Sequence, residues 1–189
     1  MGILKKLTLA ICVLTLIQTT GFAQTNIGLK SVGGHIGIVS PEHYDTSVEL
    51  GGVVGLGTLM PNLQLEGNLD FWRKSQSSGD ITAAFTDISF GGTVNYFVDI
   101  NNPNLRPFGS AGLAFHILHS SVDAPTQTFN GITVGGGSSS DSKTRLGLNI
   151  GGGVAYRVSP TLDLIGKLKY HLVSDINQLT ITVGASVPI

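Results

Sequence analysis

The chain has 189 residues, carries 11 basic and 12 acidic side chains for a formal charge of −1, and holds one cysteine. Charged residues make up 12% of it, against about 25% in soluble domains, and the mean hydropathy is +0.27. That balance is too apolar for an ordinary secreted domain, and with no basic run or aromatic-plus-basic stripe it excludes an electrostatic case for nucleic acid.

The N-terminus reads as a leader. Lys5 and Lys6 precede an uncharged apolar stretch from Leu7 to Ile17, and Gly21-Phe22-Ala23 comes before Gln24. The stretch has about half of the roughly 20 residues that a helix needs to span a bilayer. Basic, apolar and small residues in that order predict a cleavable secretory signal over residues 1–23, cut after Ala23. Cys12 raises a lipoprotein signal as the rival, but it sits inside the apolar stretch behind bulky Ile11. Removing 23 residues leaves 166, one domain over 24–189. That domain has no cysteine for a disulfide, a thiolate metal site or a nucleophile.

From there the chain alternates apolar and polar residues with a period of two, the signature of extended strands. The first strand, near 29–39, has Val32, Gly34, Ile36 and Ile38 on one face, but Ile27 and Leu29 fall on the other, and a bulge at Gly33-Gly34 is one way to reconcile them. The second carries Val48, Leu50, Gly52, Val54 and Leu56. The third sets Leu63, Leu65, Gly67, Leu69 and Phe71 against Gln64, Glu66, Asn68 and Asp70. The fourth presents Ile88, Phe90, Gly92, Val94, Tyr96 and Val98, and the fifth Gly109, Ala111, Leu113, Phe115 and Ile117. In the last third come three more: Leu146, Leu148, Ile150, Gly152, Val154, Tyr156 and Val158; Leu162, Leu164, Gly166, Leu168, Tyr170 and Leu172; and Leu179, Ile181, Val183, Ala185, Val187 and Ile189.

Short turns join strands two and three (Thr58 to Asn62), four and five (Asp99 to Leu105) and six and seven (Ser159-Pro160-Thr161), whereas the other connections tend to be longer, the longest being a Ser/Gly-rich loop from about His119 to Lys143. Short turns on one rim and longer loops on the other fit an all-β, eight-stranded antiparallel up-and-down transmembrane β-barrel with its short turns in the periplasm. The apolar faces hold no charged residue, and the opposite faces hold Glu49, Glu66, Asp70, Asp87, Asp163, Arg145, Arg157, Lys167 and Lys169. A lipid-facing charge costs about 2–4 kcal/mol at mid-bilayer, so Leu65, Leu69, Phe90, Val94, Leu113, Leu148, Ile150, Leu164, Leu168, Ile181 and Val183 are expected to face lipid. Tyr96, Phe97, Phe108 and Tyr156 near the short turns, and Phe71, Trp72, Phe90, Phe115 and Tyr170 toward the loops, supply two aromatic belts.

At this point the chain resembles the OmpA/OmpX-like small outer-membrane β-barrels of Gram-negative bacteria. The resemblance spans the mature chain and rests on Pro107-Phe108-Gly109-Ser110-Ala111-Gly112-Leu113, on Gly151-Gly152-Gly153-Val154, and on Tyr170 with the C-terminal strand. It implies an exported monomer in outer-membrane lipid, handled by the outer-membrane assembly machinery. The terminal aromatic that the resemblance leads one to expect is replaced by Val187-Pro188-Ile189, so recognition by that machinery is inferred from the alternation.

Eight strands enclose a lumen about wide enough for side chains to fill, and strands three and seven lie across it. Glu66 and Asp70 are therefore expected to reach Lys167 and Lys169, with Arg145, Arg157 and Asp163 lining the same lumen and the last two paired beside their turn. The function that follows is structural or surface interaction, without enzymatic activity, cofactor or metal. A narrow ion or small-solute channel is the alternative, because inward glycines such as Gly51, Gly55, Gly91, Gly147, Gly151 and Gly153 leave room for water. A soluble periplasmic lipocalin-like barrel binding an apolar ligand is another. His171-Leu172-Val173-Ser174-Asp175 is similar to a lipid A deacylase motif but is off by one residue, and its His and Ser point to opposite faces. Glu42, His43 and Asp45 form a solvated loop cluster, and no glycine run fits a phosphate-binding loop.

Overall fold

The computed structural model describes residues 26–189 apart from His43, Asp80, Pro125, Thr126, Asn130, Gly131, Gly135 and Asp175. The leader expected over 1–23 lies outside the described residues. Eight strands close into one antiparallel ring: β1 (Asn26–Pro41), β2 (Ser47–Met60), β3 (Leu63–Ser78), β4 (Ile81–Phe97), β5 (Leu105–Ala124), β8 (Gly137–Ser159), β9 (Leu162–Val173) and β10 (Gln178–Pro188). Between β5 and β8 a small hairpin, β6 (Gln127–Phe129) and β7 (Ile132–Val134), extends the connection. The first and last strands seal the ring, with Ser31 opposite Pro188 and Pro41 opposite Gln178. A closed ring leaves no unpaired edge, which is the condition for β-structure in hydrocarbon.

The alternation decides which face goes where. Leu69, Leu113, Leu148, Ile150, Leu168, Ile181 and Val183 stand outward and exposed, while Glu66, Asn68, Asp70, Asn95, Asn149, Lys167 and Lys169 are buried inside. No soluble fold turns its apolar face out in this way, so the lipocalin-like orientation does not hold. In the first strand, Ile27 and Leu29 do share the outward face with Val32, Ile36 and Ile38. The register shift that reconciles them lies between Ile27 and Ser31 rather than at Gly33-Gly34.

A membrane strand needs about 9–11 residues. With 12 and 11 residues, β9 and β10 meet that length, but β3, β4, β5 and β8 run to 16, 17, 20 and 23 and project beyond it. The loop expected over 119–143 is therefore mostly ladder: Ser120 pairs with Asp141 and Ala124 with Gly137. Likewise the β3–β4 connection is a tight turn at Gly79, where φ is +60°, and not a long loop. Outside the bilayer neither face must be apolar, so these polar segments keep pairing without the alternation that marks the membrane part.

Candidate functional site

The interior is stacked in layers between the two rims. Nearest the short turns, Phe97 and Phe108 meet at 5.0 Å between ring centroids and pack with Ala155 and Ile165, and the Arg106 guanidinium lies 4.2 Å over the Phe97 ring. Above them Lys167 Nζ donates to Glu66 Oε1 at 2.5 Å, joining β9 to β3 across the lumen, and Asn95 donates to the other Glu66 oxygen. Next come Asn68, which donates to Asp70 Oδ2 at 2.7 Å, and Thr93, which donates toward Asn68 and Asn149. His35 stands between Asp70, 3.0 Å away, and Glu49, 3.8 Å away.

Higher still, Asp87 and His116 pair at 2.9 Å, both almost fully buried, and Gln178 donates Nε2 to the same Asp87 oxygen at 3.0 Å. Trp72 Nε1 donates to Gln178 Oε1 at 3.0 Å. The loop-side end is closed by Val39, Trp72, Leu118, Val173 and Ile176, with Phe85 against them. Such an arrangement satisfies most of a buried polar core by pairing and hides it behind an apolar layer at each end.

Of the expected lumen charges, Glu66 and Lys167 meet as the cross-lumen geometry required. Asp70 takes His35 as its contact partner, with Lys169 close enough to act on it electrostatically. Arg145 is half-buried and faces inward opposite His116. Arg157 and Asp163 do pair, at 3.1 and 3.4 Å, but the Arg157 side chain is 45% exposed. They belong to the rim, one rung short of the Ser159–Leu162 pair that closes the hairpin, and the half-exposed Arg157 does not line the lumen.

Among the aromatics, Phe71, Tyr96, Phe115 and Tyr156 are outward, and Tyr170 reaches Glu42 in the loop. Trp72, Phe97 and Phe108 are interior and belong to no belt. Parity is the reason: each stands one residue from an outward neighbour, Phe71, Tyr96 or Gly109, so it turns inward. The room left by inward glycines is also filled. A Cβ on Gly147 would lie 2.8 Å from Val173 and 3.1 Å from His116, and one on Gly55 would collide with the Ser31 hydroxyl. His171 is buried inside while Ser174 is exposed, and Asp175 lies outside the described residues. The Glu42, His43 and Asp45 cluster likewise includes His43, outside the described residues; Glu42 instead accepts from Tyr170 and Asn177.

Sequence reasoning set Asp87 on the inward face without its partners and missed His35, His116, Gln178 and Trp72 as interior residues. Their inward parity was readable, but which strands they face across the lumen depends on stagger, which no single strand reveals.

A family model described as outer membrane protein beta-barrel domain matches residues 9–187. No curated protein matches the sequence. Among solved structures, Neisserial surface protein A is similar at 18% identity and a TM-score of 0.64, over 87% of this chain and 100% of that one. A major outer membrane protein from Thermus thermophilus shares 13% identity at a TM-score of 0.58, covering 86% and 100%. Ail, the attachment invasion locus protein of Yersinia pestis, shares 16% at 0.57, covering 85% and 97%. At these identities the likeness is one of fold.

Proposed function

The chain belongs to the outer membrane protein beta-barrel domain family, and on that footing we propose that it is a structural and surface-interaction protein whose interior conducts nothing and catalyses nothing. It resides in the outer membrane. The observation that carries the reading is the double seal: the Phe97 and Phe108 layer below, the Trp72 layer above, and a cross-lumen ion pair between them. The interior cavity at the short-turn end holds only about 80 Å³ and ends on Glu66 and Lys167. With the lumen occupied, the surface left for interaction is the paired ribbon of β3–β4 and β5–β8 that extends past the bilayer. Purified protein in planar bilayers is expected to show no conductance steps; regular unitary steps from pure protein would restore the channel reading.

The outward side chains Leu65, Leu69, Phe90, Val94, Leu113, Leu148, Ile150, Leu164, Leu168, Ile181 and Val183 face lipid in this reading, framed by Phe71, Tyr96, Phe115, Tyr156 and Tyr170. The chain works as a monomer delivered by the assembly machinery after removal of residues 1–23. Val183 is central in β10 and 62% exposed. Arginine there is expected to lower stability in lipid vesicles by about 2–4 kcal/mol, read from the urea midpoint. An unchanged midpoint would mean that Val183 meets water.

A further inference from the structure

Three side chains from adjacent strands converge inside the barrel: His35 on β1, Glu49 on β2 and Asp70 on β3. His35 and Asp70 both stand opposite Gly51 in the two ladders. One ligating atom from each lies within 4.8 Å of the others. A divalent ion held tetrahedrally at about 2.1 Å keeps its ligand atoms about 3.4 Å apart, and here His35 Nε2 is 3.0 Å from Asp70 Oδ1 and 3.8 Å from Glu49 Oε1.

What makes this more than a crowded corner is that two buried carboxylates converge on a single imidazole nitrogen. Asp70 Oδ1 is buried, with His35 Nε2 3.0 Å away. The other Asp70 oxygen is already taken by Asn68. Glu49 is also buried and makes no hydrogen bond among the described residues. A buried carboxylate without a full countercharge is costly, so two of them converging on one imidazole call for a cation. Gly51 supplies the room, since a Cβ there would run into both His35 Nε2 and Asp70 Oδ1.

The geometry points to a lumen site for one first-row divalent cation of the Zn²⁺ class, ligated by His35 Nε2, Glu49 and Asp70 Oδ1. One imidazole with two carboxylates and no thiolate suits Zn²⁺, Co²⁺, Mn²⁺ or Ni²⁺ rather than a soft ion. The 80 Å³ cavity lined by Gln64, Arg106 and Asp163 shares Val53, Ile165 and Lys167 with a void of about 10 Å³ beside His35. Lys169 is the competing positive charge, acting on both Glu49 and Asp70.

The test uses the full barrel in detergent, shown to be folded by heat-modifiable migration, with Co²⁺ as the spectroscopic probe and Zn²⁺ as the displacing ion. One Co²⁺ per barrel with visible absorption bands is expected. His35→Asn, Glu49→Gln and Asp70→Asn should each weaken binding beyond the about 10- to 100-fold that follows loss of a mere supporting partner. Gly51→Ala removes no donor, yet should abolish the bands by occupying the ligands' space, and Lys169→Gln should tighten binding. His119→Asn, on the exposed side of β5, should leave the titration unchanged. Folded wild-type protein without Co²⁺ bands overturns the proposal, as do bands that survive all three ligand substitutions or vanish with His119→Asn.

Discussion

Replacing Lys167 by methionine is expected to lower the stability of the barrel by about 3–5 kcal/mol. The size of the effect comes from what is left behind. Glu66 is buried on β3 and its charge is met across the lumen by Lys167 at 2.5 Å, with one further donor in Asn95. Methionine keeps the length and volume of the stem but removes the ammonium, so the carboxylate stays in a closed interior without a countercharge. The complementary expectation is the diagnostic one: adding Glu66→Gln to Lys167→Met should recover most of the loss, because a neutral pair of similar shape is often as good as a buried ion pair. Urea titration in lipid vesicles reads both, as a midpoint that falls in the single variant and returns in the double one. Failure of the second change to help would show that Lys167 serves some group other than Glu66.

Trp72→Ala is the other large effect, about 3–5 kcal/mol from truncation of a buried aromatic. Trp72 is 2% exposed, packs with Val39, Leu118, Val173 and Ile176, and lies 5.4 Å from the Phe85 ring. It also holds Gln178, whose amide serves Asp87, which in turn pairs with His116. Truncation thus leaves a hole at the loop-side seal and an unpaired Gln178 oxygen beneath it. Trp72→Phe separates the two contributions, since phenylalanine retains much of the packing and loses only the indole N–H. Its expected cost is about 1–3 kcal/mol, the range for an orphaned buried acceptor. Equal losses from both substitutions in the same urea assay would assign the whole effect to the hydrogen bond.

The ring was legible because lipid forces a parity rule on every membrane strand. In Leu63 to Phe71 the apolar and polar residues never exchange places, and the structure buries Glu66, Asn68 and Asp70 while leaving Leu69 and Phe71 exposed. Parity gave way where its physical cause stops. Past Trp72 and His119 the strands leave the bilayer, both faces are wet, and the sequence looks like loop although the ladder continues. Trp72 itself was misplaced because an aromatic near the bilayer edge has two homes, the belt and the lumen, and residue type alone favours neither. Partner choice was hidden for a further reason. Asp70 has Lys169 and His35 within reach, and the two ladders that set both His35 and Asp70 opposite Gly51 decide which one it touches.

The bonds that cross the lumen also impose an order in time. Lys167 and Glu66 are 101 residues apart, Trp72 and Gln178 are 106 apart, and Gln178 and Asp87 are 91 apart. Each involves β9 or the start of β10, so none exists while only the first five ring strands are in place. A growing sheet therefore carries Glu66 without its countercharge, and Asp87 without the Gln178 amide, until the final hairpin arrives. Closure is then a single late event dominated by distant contacts, the kind that makes folding slow and cooperative.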